Sequence, residues 1–572
     1  MREEAWPQPR NPDEMHEALT GVGAVTADEG ADNAGWHEWL RALAADGRAT
    51  RMRLGDDDAR ALWLATEQLP MLRALFPAAP IEPVVDAPDE YAQADWPRET
   101  ALRELLRARL TALGPATATA LAHSLGLPVA DVEPALLALQ SEGYVMQGRF
   151  TPGAREEEWC ERHLLARIHR YTLKQLRREI EPVEPRDFQR FLFDWQHLSE
   201  TERVSGPEAL AGVLGQLEGF EAPAASWETD LLPARVRGYA IHWLDDLCTA
   251  GRTLWTRLRP PASEGGGRGN VSLRGTPILL LPRRQAPLWT RLAPAPVDDE
   301  DLGSRARRVV DHLGAQGASF FDEIGDGAHL LRTELEDALA ELVVRGRIHC
   351  DSFGGLRALL VPASKRDGGS RHRRRKPMFG IQDAGRWALI RAGAPAGSGG
   401  AQAEAVEHVA RVLLRRYGVV CWRLLEREAA WLPSWRELAR VYQRLEARGE
   451  IRGGRFITGI PGEQFALPEA VAALRQARRR SADGKWLAIA ATDPANLLGT
   501  LLPGEKVARV PGSRVLYRDG LAVAVLAGGE VRFLDVLPLH EQQEASRVLQ
   551  RAVHAGMEPM EPMEPQMPAR AG

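Results

Sequence analysis

The chain has 572 residues, too many for one hydrophobic core, and this length predicts about three to five domains. Its composition, 44% hydrophobic and 26% charged, is typical of a soluble globular protein. The formal net charge of -5 excludes a strongly basic field over the whole molecule, so any surface for nucleic acid must be local.

The four cysteines lie far apart, and none belongs to a Cys-x-x-Cys pair. This spacing argues against a zinc ribbon or an iron–sulfur cluster, so no metal and no cofactor is predicted. The pattern fits a reducing cytoplasm. The sequence shows no signal peptide and no apolar run long enough to cross a bilayer, so we expect a cytoplasmic, nucleoid-associated protein without a membrane partner.

A sixteen-residue pattern occurs five times along the chain. Each copy carries Leu at its fifth position, Gly at its ninth, and Leu or Phe at its last. The copies begin at Trp39, Ala135, Trp243, Ala338 and Val441. The pattern predicts an amphipathic helix that ends at a left-handed glycine and is followed at once by a strand. In a winged-helix module, the third helix and the first strand of the wing have this arrangement.

The predicted fold class is therefore α+β and mainly helical: a tandem array of about five winged-helix modules plus a small β-barrel-like domain. A helix is expected over 61–76 and another from residue 156 to about 180. Strands are expected at 276–284 and, with period two, from 484 onward, including 507–510. The expected domains are a linker (1–12), winged helix 1 with a helical extension (13–97), winged helix 2 (98–154), a helical block (155–206), winged helix 3 (207–260), a strand segment of the β-barrel (271–300), winged helix 4 (301–362), a basic and Gly-rich linker region (363–402), winged helix 5 (403–480), C-terminal strands (484–545) and a disordered tail (546–572).

Three segments, 156–195, 455–471 and 488–499, resemble the large helicase-related family, Lhr, and the resemblance extends from about residue 10 to 545. The chain resembles the C-terminal half of the long bacterial form, without the two ATPase lobes of that form. No GxxxxGK[ST] motif occurs in the chain, in agreement with that.

The resemblance implies several properties. Long family members are ATP-dependent DNA translocases and helicases, so one expected partner is the ATPase core of the same polypeptide. Their C-terminal halves are similar to AlkZ-type DNA glycosylases, which are also tandem winged helices. A uracil-DNA glycosylase activity and a homo-tetramer are associated with this half.

Basic side chains in the wings are candidate DNA contacts. Arg149 lies in the second wing, Arg452 and Arg455 in the fifth, and Arg252 beside Trp255 in the third. An aromatic ring among arginines suits stacking on an unpaired base, although Trp255 is about as well explained as a core residue. A basic stretch adds candidate phosphate contacts at Arg371, Arg373, Arg374 and Arg375, with a solvated loop as the alternative.

A glycosylase needs a carboxylate near the sugar and groups that read the edge of the extruded base. Asp493 is the candidate for orienting water, and Gln464 or Asn496 for reading uracil. An Asp before Pro is more often a turn residue, and Gln464 could simply bond its own loop. The paired-glutamine motif of AlkZ-type enzymes is not found, which argues against alkyl-base chemistry.

The predicted function is the DNA-binding C-terminal half of an Lhr-type ATP-dependent helicase that acts in DNA repair as a monofunctional uracil-DNA glycosylase. The expected partner is single-stranded or uracil-containing DNA. The alternative is a non-catalytic oligomerisation and nucleic-acid-binding scaffold for the helicase core. A sequence-specific regulator is disfavoured, because five divergent modules do not suit a palindromic operator.

Overall fold

The structure, a computed structural model, divides the chain into two compact units, Met1–Leu176 and Arg177–Gly572. No helix in the described part is both long and apolar enough to span a membrane. The described residues are 5–55, 60–178, 180–258, 272–294, 302–361, 380–390 and 399–555.

The first unit holds two modules. Its helices are α1 (Pro12–Val22), α2 (Ala27–Asp32), α3 (Trp36–Ala45), α4 (Leu69–Leu75), α5 (Asp89–Ala92), α6 (Arg98–Leu110), α7 (Ala118–Leu125), α8 (Val129–Ser141) and the start of α9 (Arg162–Arg178). Its strands are β1 (Val25–Thr26), β2 (Ala49–Arg53), β3 (Ala61–Ala65), β4 (Ile81–Glu82), β5 (Ala116–Thr117), β6 (Val145–Gly148) and β7 (Glu158–Glu161).

The second unit holds three modules and a C-terminal sheet. Its further helices are α10 (Pro185–Trp195), α11 (Pro207–Gln216), α12 (Leu232–Arg235), α13 (Ile241–Thr249), α14 (Ala286–Leu292), α15 (Ser304–Gln316), α16 (Phe321–Ala328), α17 (Arg332–Val344), α18 (Phe353–Leu360), α19 (Gly399–Tyr417), α20 (Trp435–Ala447), α21 (Pro468–Arg479) and α22 (Leu539–Ala555). Its strands are β8 (Val204–Ser205), β9 (Ala222–Pro223), β10 (Val236–Arg237), β11 (Thr253–Thr256), β12 (Pro277–Pro282), β13 (Ile348–Cys350), β14 (Trp387–Leu389), β15 (Val419–Val420), β16 (Arg452–Gly454), β17 (Gln464–Ala466), β18 (Trp486–Ala490), β19 (Arg514–Arg518), β20 (Leu521–Ala527) and β21 (Glu530–Phe533).

Within the described residues, five modules share one topology: helix, short strand, helical turn, third helix, then two strands. In each module the second wing strand lies between the first wing strand and the short strand, and all these pairs are antiparallel; in the first module a fourth strand, β4, adds to the edge at β2. The orders are β1-β3-β2, β5-β7-β6, β9-β12-β11 and β15-β17-β16, and in the fourth module an isolated Ser319–Trp387 bridge takes the place of the first strand beside β14 and β13. This is the winged-helix arrangement, so the predicted class of mainly helical α+β with winged-helix modules is confirmed.

The repeated glycine has the predicted geometry in every copy. Gly47, Gly143, Gly251, Gly346 and Gly449 have φ angles between 67° and 74°, in the left-handed region. In each copy the N–H of the residue after the glycine donates to the carbonyl of the repeated Leu four residues before the glycine, at 2.8–3.0 Å. This is a Schellman cap, which satisfies the last helical carbonyls and turns the chain into the wing. The pattern therefore encodes one local structure five times.

The predicted β-barrel-like domain is wrong. Strand β12, assigned to it from the sequence, pairs with β11 and β9 inside the third module. The C-terminal strands form an open antiparallel sheet in the order β18-β19-β20-β21, and its two edge strands do not pair with each other. Period-two segments predict strands but carry no information on closure, which depends on how the edges are covered.

Three local predictions are also wrong. Residues 61–65 are a strand rather than the start of a helix, and 158–161 form β7, so the long helix begins only at Arg162. Residues 507–510 are irregular. In the first two cases the segment pairs with a distant strand, and a tertiary contact of this kind overrides local periodicity. Helix α22 also extends to Ala555, into the segment expected to be a disordered tail.

Helix α10 links the fifth module to the C-terminal sheet. Phe188, Phe191 and Leu192 are buried in a core that also contains residues of α19, α20, β17 and β19. Phe193 meets the ring of Tyr517 edge-on, with centroids 5.1 Å apart. Burial of each of these side chains contributes about 1.5–3 kcal/mol. This packing fixes the loop after β18 against α10 and positions the candidate site.

Candidate functional site

Asp493 lies in a tight turn directly after β18. Its Oδ1 accepts the N–H of Ala495 at 2.8 Å, and its carbonyl accepts the N–H of Asn496 at 3.1 Å. Pro494 follows Asp493 and favours this turn. Asp493 is therefore a turn residue, the alternative to a catalytic role that the sequence left open. Its side chain points into the protein, and only 1% of the residue is exposed.

The carboxylate of Asp493 forms a two-pronged ion pair with Arg235 at the end of α12. Arg235 Nη1 lies 2.7 Å from Oδ2, and Nη2 lies 2.9 Å from Oδ1. Arg235 is fully buried, and its Nη2 also donates to Oε1 of Gln196 at 2.7 Å. A buried carboxylate held at both oxygens is a fixed anion that ties α12 and α10 to the C-terminal sheet.

Asn496 is fully buried three residues further on. Its amide donates to the carbonyl of Ala491 at 3.1 Å, and its Oδ1 accepts the hydroxyl of Tyr517 at 2.7 Å. Burial raises the pKa of Tyr517, so this hydroxyl keeps its proton as a donor. The side chain that would read uracil is thus engaged with its own turn and with β19.

Further buried polar groups complete a cluster around this turn. Arg427 donates to the carbonyl of Asp493 at 2.6 Å, and burial lowers the pKa of Arg427 to about 10. Asp230, in the π-helical turn Trp227–Leu231, pairs with Arg514 of β19. Burial raises the pKa of Asp230, and the positive charge of Arg514 opposes that rise. Opposite charges thus meet in pairs at the junction of the third module and the C-terminal sheet.

A cavity of about 300 Å³ lies beside this cluster and shares Tyr517 with it. Phe193 and Trp486 contribute aromatic wall, and the charged lining residues are of both signs: Arg190, Arg203, Arg480, Lys485, Glu200, Asp483 and Asp519. The volume is at the lower end of the range for small-molecule sites. A cavity with aromatic walls and charged groups of both signs can hold a planar polar group.

Gln464 is placed elsewhere, in strand β17 of the fifth wing. Its Oε1 accepts the N–H groups of Phe456 and Ile457 at 3.0 and 2.9 Å, and its Nε2 donates to the carbonyls of Ile457 and Ile460. These four hydrogen bonds all go to the wing loop, and none goes to Asp493 or Asn496. Within the described structure Gln464 therefore fixes the shape of the wing, while Asp493 and Asn496 share one turn.

The predicted DNA contacts have different surroundings. Arg149, Arg452 and Arg455 are exposed, as a contact with phosphate requires. Arg252 is exposed but paired with Glu208 at 2.8 and 3.0 Å. Trp255 is fully buried, and its Nε1 donates to the carbonyl of Ser352 at 2.9 Å, so the core alternative describes it. Arg371, Arg373, Arg374 and Arg375 lie outside the described residues.

All four cysteines are buried and unpaired. Burial raises the pKa of Cys160, Cys248 and Cys350 to about 12 and that of Cys421 to about 11. A thiol with such a pKa is protonated at neutral pH and a poor nucleophile. The described residues also contain no group of three or more His, Cys, Asp or Glu side chains arranged to hold a metal ion.

We expect this burial to control thiol labelling. At about pH 8 the native chain should react with Ellman's reagent only slowly, because reaction requires local opening, whereas unfolding in guanidinium should expose all four thiols. The measurement is the absorbance released with time in the two states. A native thiol that reacts within seconds would show that at least one cysteine is open to solvent.

Arg235 is a residue of the site that sequence reasoning missed. It follows an ordinary Leu-Leu-Pro-Ala segment, and its carboxylate partner is 258 positions away. No local pattern could have indicated the pair. The cavity was missed for the same reason, since its walls come from α10, the loop after it, and strands β18 and β19.

Topology and capping together define a tandem winged-helix protein. Family models support this independently: the model described as "Large helicase-related protein, winged-helix domain" matches residues 183–282, and a second model with the same description matches 399–486. These segments are winged-helix domains of the large helicase-related family, and the chain is homologous to the C-terminal region of its Lhr helicase/uracil glycosylase members. The resemblance drawn from the sequence is confirmed.

Two curated relatives cover most of the chain. One, named "Lhr helicase/ probable uracil glycosylase", from Mycolicibacterium smegmatis, is 29% identical over 88% of this chain and 33% of its own length. The other, named "Lhr helicase/uracil glycosylase", from Escherichia coli K12, is 27% identical over 75% of this chain and 29% of its own length. The chain thus spans about a third of the length of these relatives.

A solved structure, the Streptomyces sahachiroi DNA glycosylase AlkZ, is also similar. The match has a TM-score of 0.37 and 15% sequence identity, and it covers 65% of this chain and 98% of that one.

Proposed function

We propose that the chain binds DNA and removes uracil from it, as a DNA-repair activity attached to an Lhr-type helicase. The observation that carries the proposal is the homology over 88% of the chain to a protein named helicase and probable uracil glycosylase. The tandem winged-helix topology supports DNA binding, because this module is a common DNA-binding scaffold.

The cavity beside Tyr517 supports the base-removal step. Enzymes that act on a base extrude it into a pocket, where water attacks the sugar carbon as the glycosidic bond breaks and its electron pair leaves with the base. In our proposal the cavity, which Tyr517 lines, receives the base. Asn496 and Asp493 are buried behind this lining, so the turn that holds them must open for Asn496 to contact the edge of the base and for Asp493 to accept the proton of the water. Since both oxygens of Asp493 are held by Arg235, this role requires one of them to be released when substrate binds.

The test is incubation of the full chain with a uracil-containing single strand, followed by alkaline cleavage. We expect strand scission at the uracil, none in the matched thymine strand, and no effect of a chelator. Asp493→Asn should abolish scission while DNA binding persists. If the wild-type chain releases no uracil, the enzymatic proposal fails. If Asp493→Asn folds and keeps full activity, Asp493 is not the catalytic carboxylate.

One observation favours a second candidate, the non-catalytic scaffold. The carboxylate and amide that would perform catalysis are closed to solvent and bonded to partners within the chain. A scaffold would bind DNA and organise the helicase core without releasing a base. Tight binding of uracil-containing DNA without any abasic product would support it.

A further inference from the structure

The third helices of the five modules differ in charge. When a winged-helix module binds DNA, its third helix is the one that enters the major groove. Helices α8 and α13 each carry two acidic and no lysine or arginine residues, α17 carries four acidic residues and one arginine, and α3 carries one residue of each sign. Helix α20 alone among these five carries three arginines.

The three arginines of α20 form a row on its solvent face. Arg436, Arg440 and Arg444 are four residues apart, a spacing that places side chains on one face, and all three are exposed. Arg436 and Arg444 have no ion-pair or side-chain hydrogen-bond partner among the described residues. At about 1.5 Å per residue the row is about 12 Å long.

The two acidic residues of α20 offset this charge only in part. Glu446 is buried and bonds Arg177 and the N–H of Gly453. Glu437 completes the N-terminal capping box, since its carboxylate accepts the N–H and hydroxyl of Ser434 at 2.9 and 2.7 Å. These two hydrogen bonds from Ser434 lower the pKa of Glu437, and the positive charge of Arg440 lowers it further.

The wing of the same module lies beside this face. Gln443 of α20 donates to Glu463 at the end of the wing loop at 2.8 Å. The exposed Arg452 and Arg455 begin the wing, and Gln464 fixes the loop that follows them through its hydrogen bonds to the backbone. The helix and its wing are thus joined at the acidic Glu463 and together present five exposed arginines.

We propose that this surface, made by the arginine row of α20 and the wing arginines Arg452 and Arg455, is the principal contact of the chain with duplex DNA. A helix face about 12 Å long fits the major groove, which is about 12 Å wide, while wing arginines reach the adjacent phosphates. This assignment rests on the proposed DNA-binding function and adds Arg436, Arg440 and Arg444 to the residues involved.

The experiment compares the full chain with the triple variant Arg436→Ala, Arg440→Ala, Arg444→Ala. Binding to a duplex is measured by fluorescence anisotropy across a salt series. We expect the triple variant to bind about tenfold or more weakly at about 0.1 M salt, and its log–log salt slope to fall by about 0.9 for each phosphate that it no longer neutralises. The unfolding midpoint should stay unchanged, because the side chains are exposed.

A matched control removes three exposed arginines from another helix of the same unit: Arg475→Ala, Arg478→Ala, Arg479→Ala in α21, where Arg478 is paired with Glu181. It should bind duplex nearly as the wild type does. Equal weakening by both variants would overturn the inference, since the effect would then be one of total charge. Equal weakening of single-strand and duplex binding by the α20 variant would also overturn it.

The outcomes separate this inference from the proposed function. Wild-type chain that binds no DNA contradicts the proposed function. Wild-type chain that binds duplex, together with an α20 variant that binds equally well, contradicts only the assignment of the surface.

Discussion

Replacing Arg235 by methionine should lower the free energy of unfolding by about 3–5 kcal/mol, the range for removal of one partner of a buried ion pair. The substitution leaves the carboxylate of Asp493 buried without a counter-charge and removes the hydrogen bond to Gln196. Methionine keeps most of the side-chain volume, so the destabilisation reports the charge rather than a cavity. Urea unfolding followed by tryptophan fluorescence measures it.

Two controls isolate this effect. The double variant Arg235→Met, Asp493→Leu should recover much of the stability, because no charge is then buried alone. Arg252 forms an ion pair with Glu208 through the same two-pronged geometry, but at an exposed position. Arg252→Met should therefore leave the unfolding midpoint unchanged. An Arg235→Met chain as stable as the wild type would contradict the structural role of the Asp493 turn.

Replacing Gly219 by alanine should destabilise the second unit by about 2–5 kcal/mol. Gly219 has a φ of 73°, and an added Cβ would overlap the indole ring of Trp289. That indole cannot move aside, since it is buried and its Nε1 donates to Glu218 at 2.9 Å. Backbone strain and a clash with a rigid ring therefore add together.

Gly238→Ala is the matched control. Gly238 has a similar φ of 65°, but an added Cβ there would meet no atom within 4 Å. We expect it to cost only the backbone strain, about 1–2 kcal/mol. The same urea transition compares the two variants. Equal destabilisation would mean that the close approach of Gly219 to Trp289 is absent in solution.

The repeated modules could be predicted from the sequence because each is encoded locally. A leucine, a glycine four residues later and a strand immediately after it specify a Schellman cap without reference to the rest of the chain, and all five copies adopt it. The C-terminal turns Asp519-Gly520 and Gly528-Gly529 behave in the same way, with positive φ at both positions.

Features that depend on distant partners could not be predicted. Residues 61–65 have an apolar pattern that suits a buried helix or strand equally, and only pairing with β1 and β2 decides. The same limit applies to Asp493. The Asp-Pro pair indicates its turn, but no residue near it in the chain points to Arg235, so its burial in an ion pair could not be inferred.

The arginine row of α20 could have been predicted from the sequence. Arg436, Arg440 and Arg444 lie in or just before the fifth copy of the pattern, at helical spacing. They lie on the third helix rather than in the wing, so basic residues of the wings alone do not indicate them. The net charge of this face also depends on burial, because Glu446 is buried and paired with Arg177.

DNA binding by a tandem winged-helix chain of net negative charge is the property on which both proposals depend. Equilibrium binding of the full chain to a fluorescent duplex, measured from about 50 to about 200 mM salt, tests it most directly. We predict binding at low salt whose affinity falls steeply and linearly on log–log axes, because each neutralised phosphate releases counterions. No binding at low salt, or an affinity that does not change with salt, would contradict it.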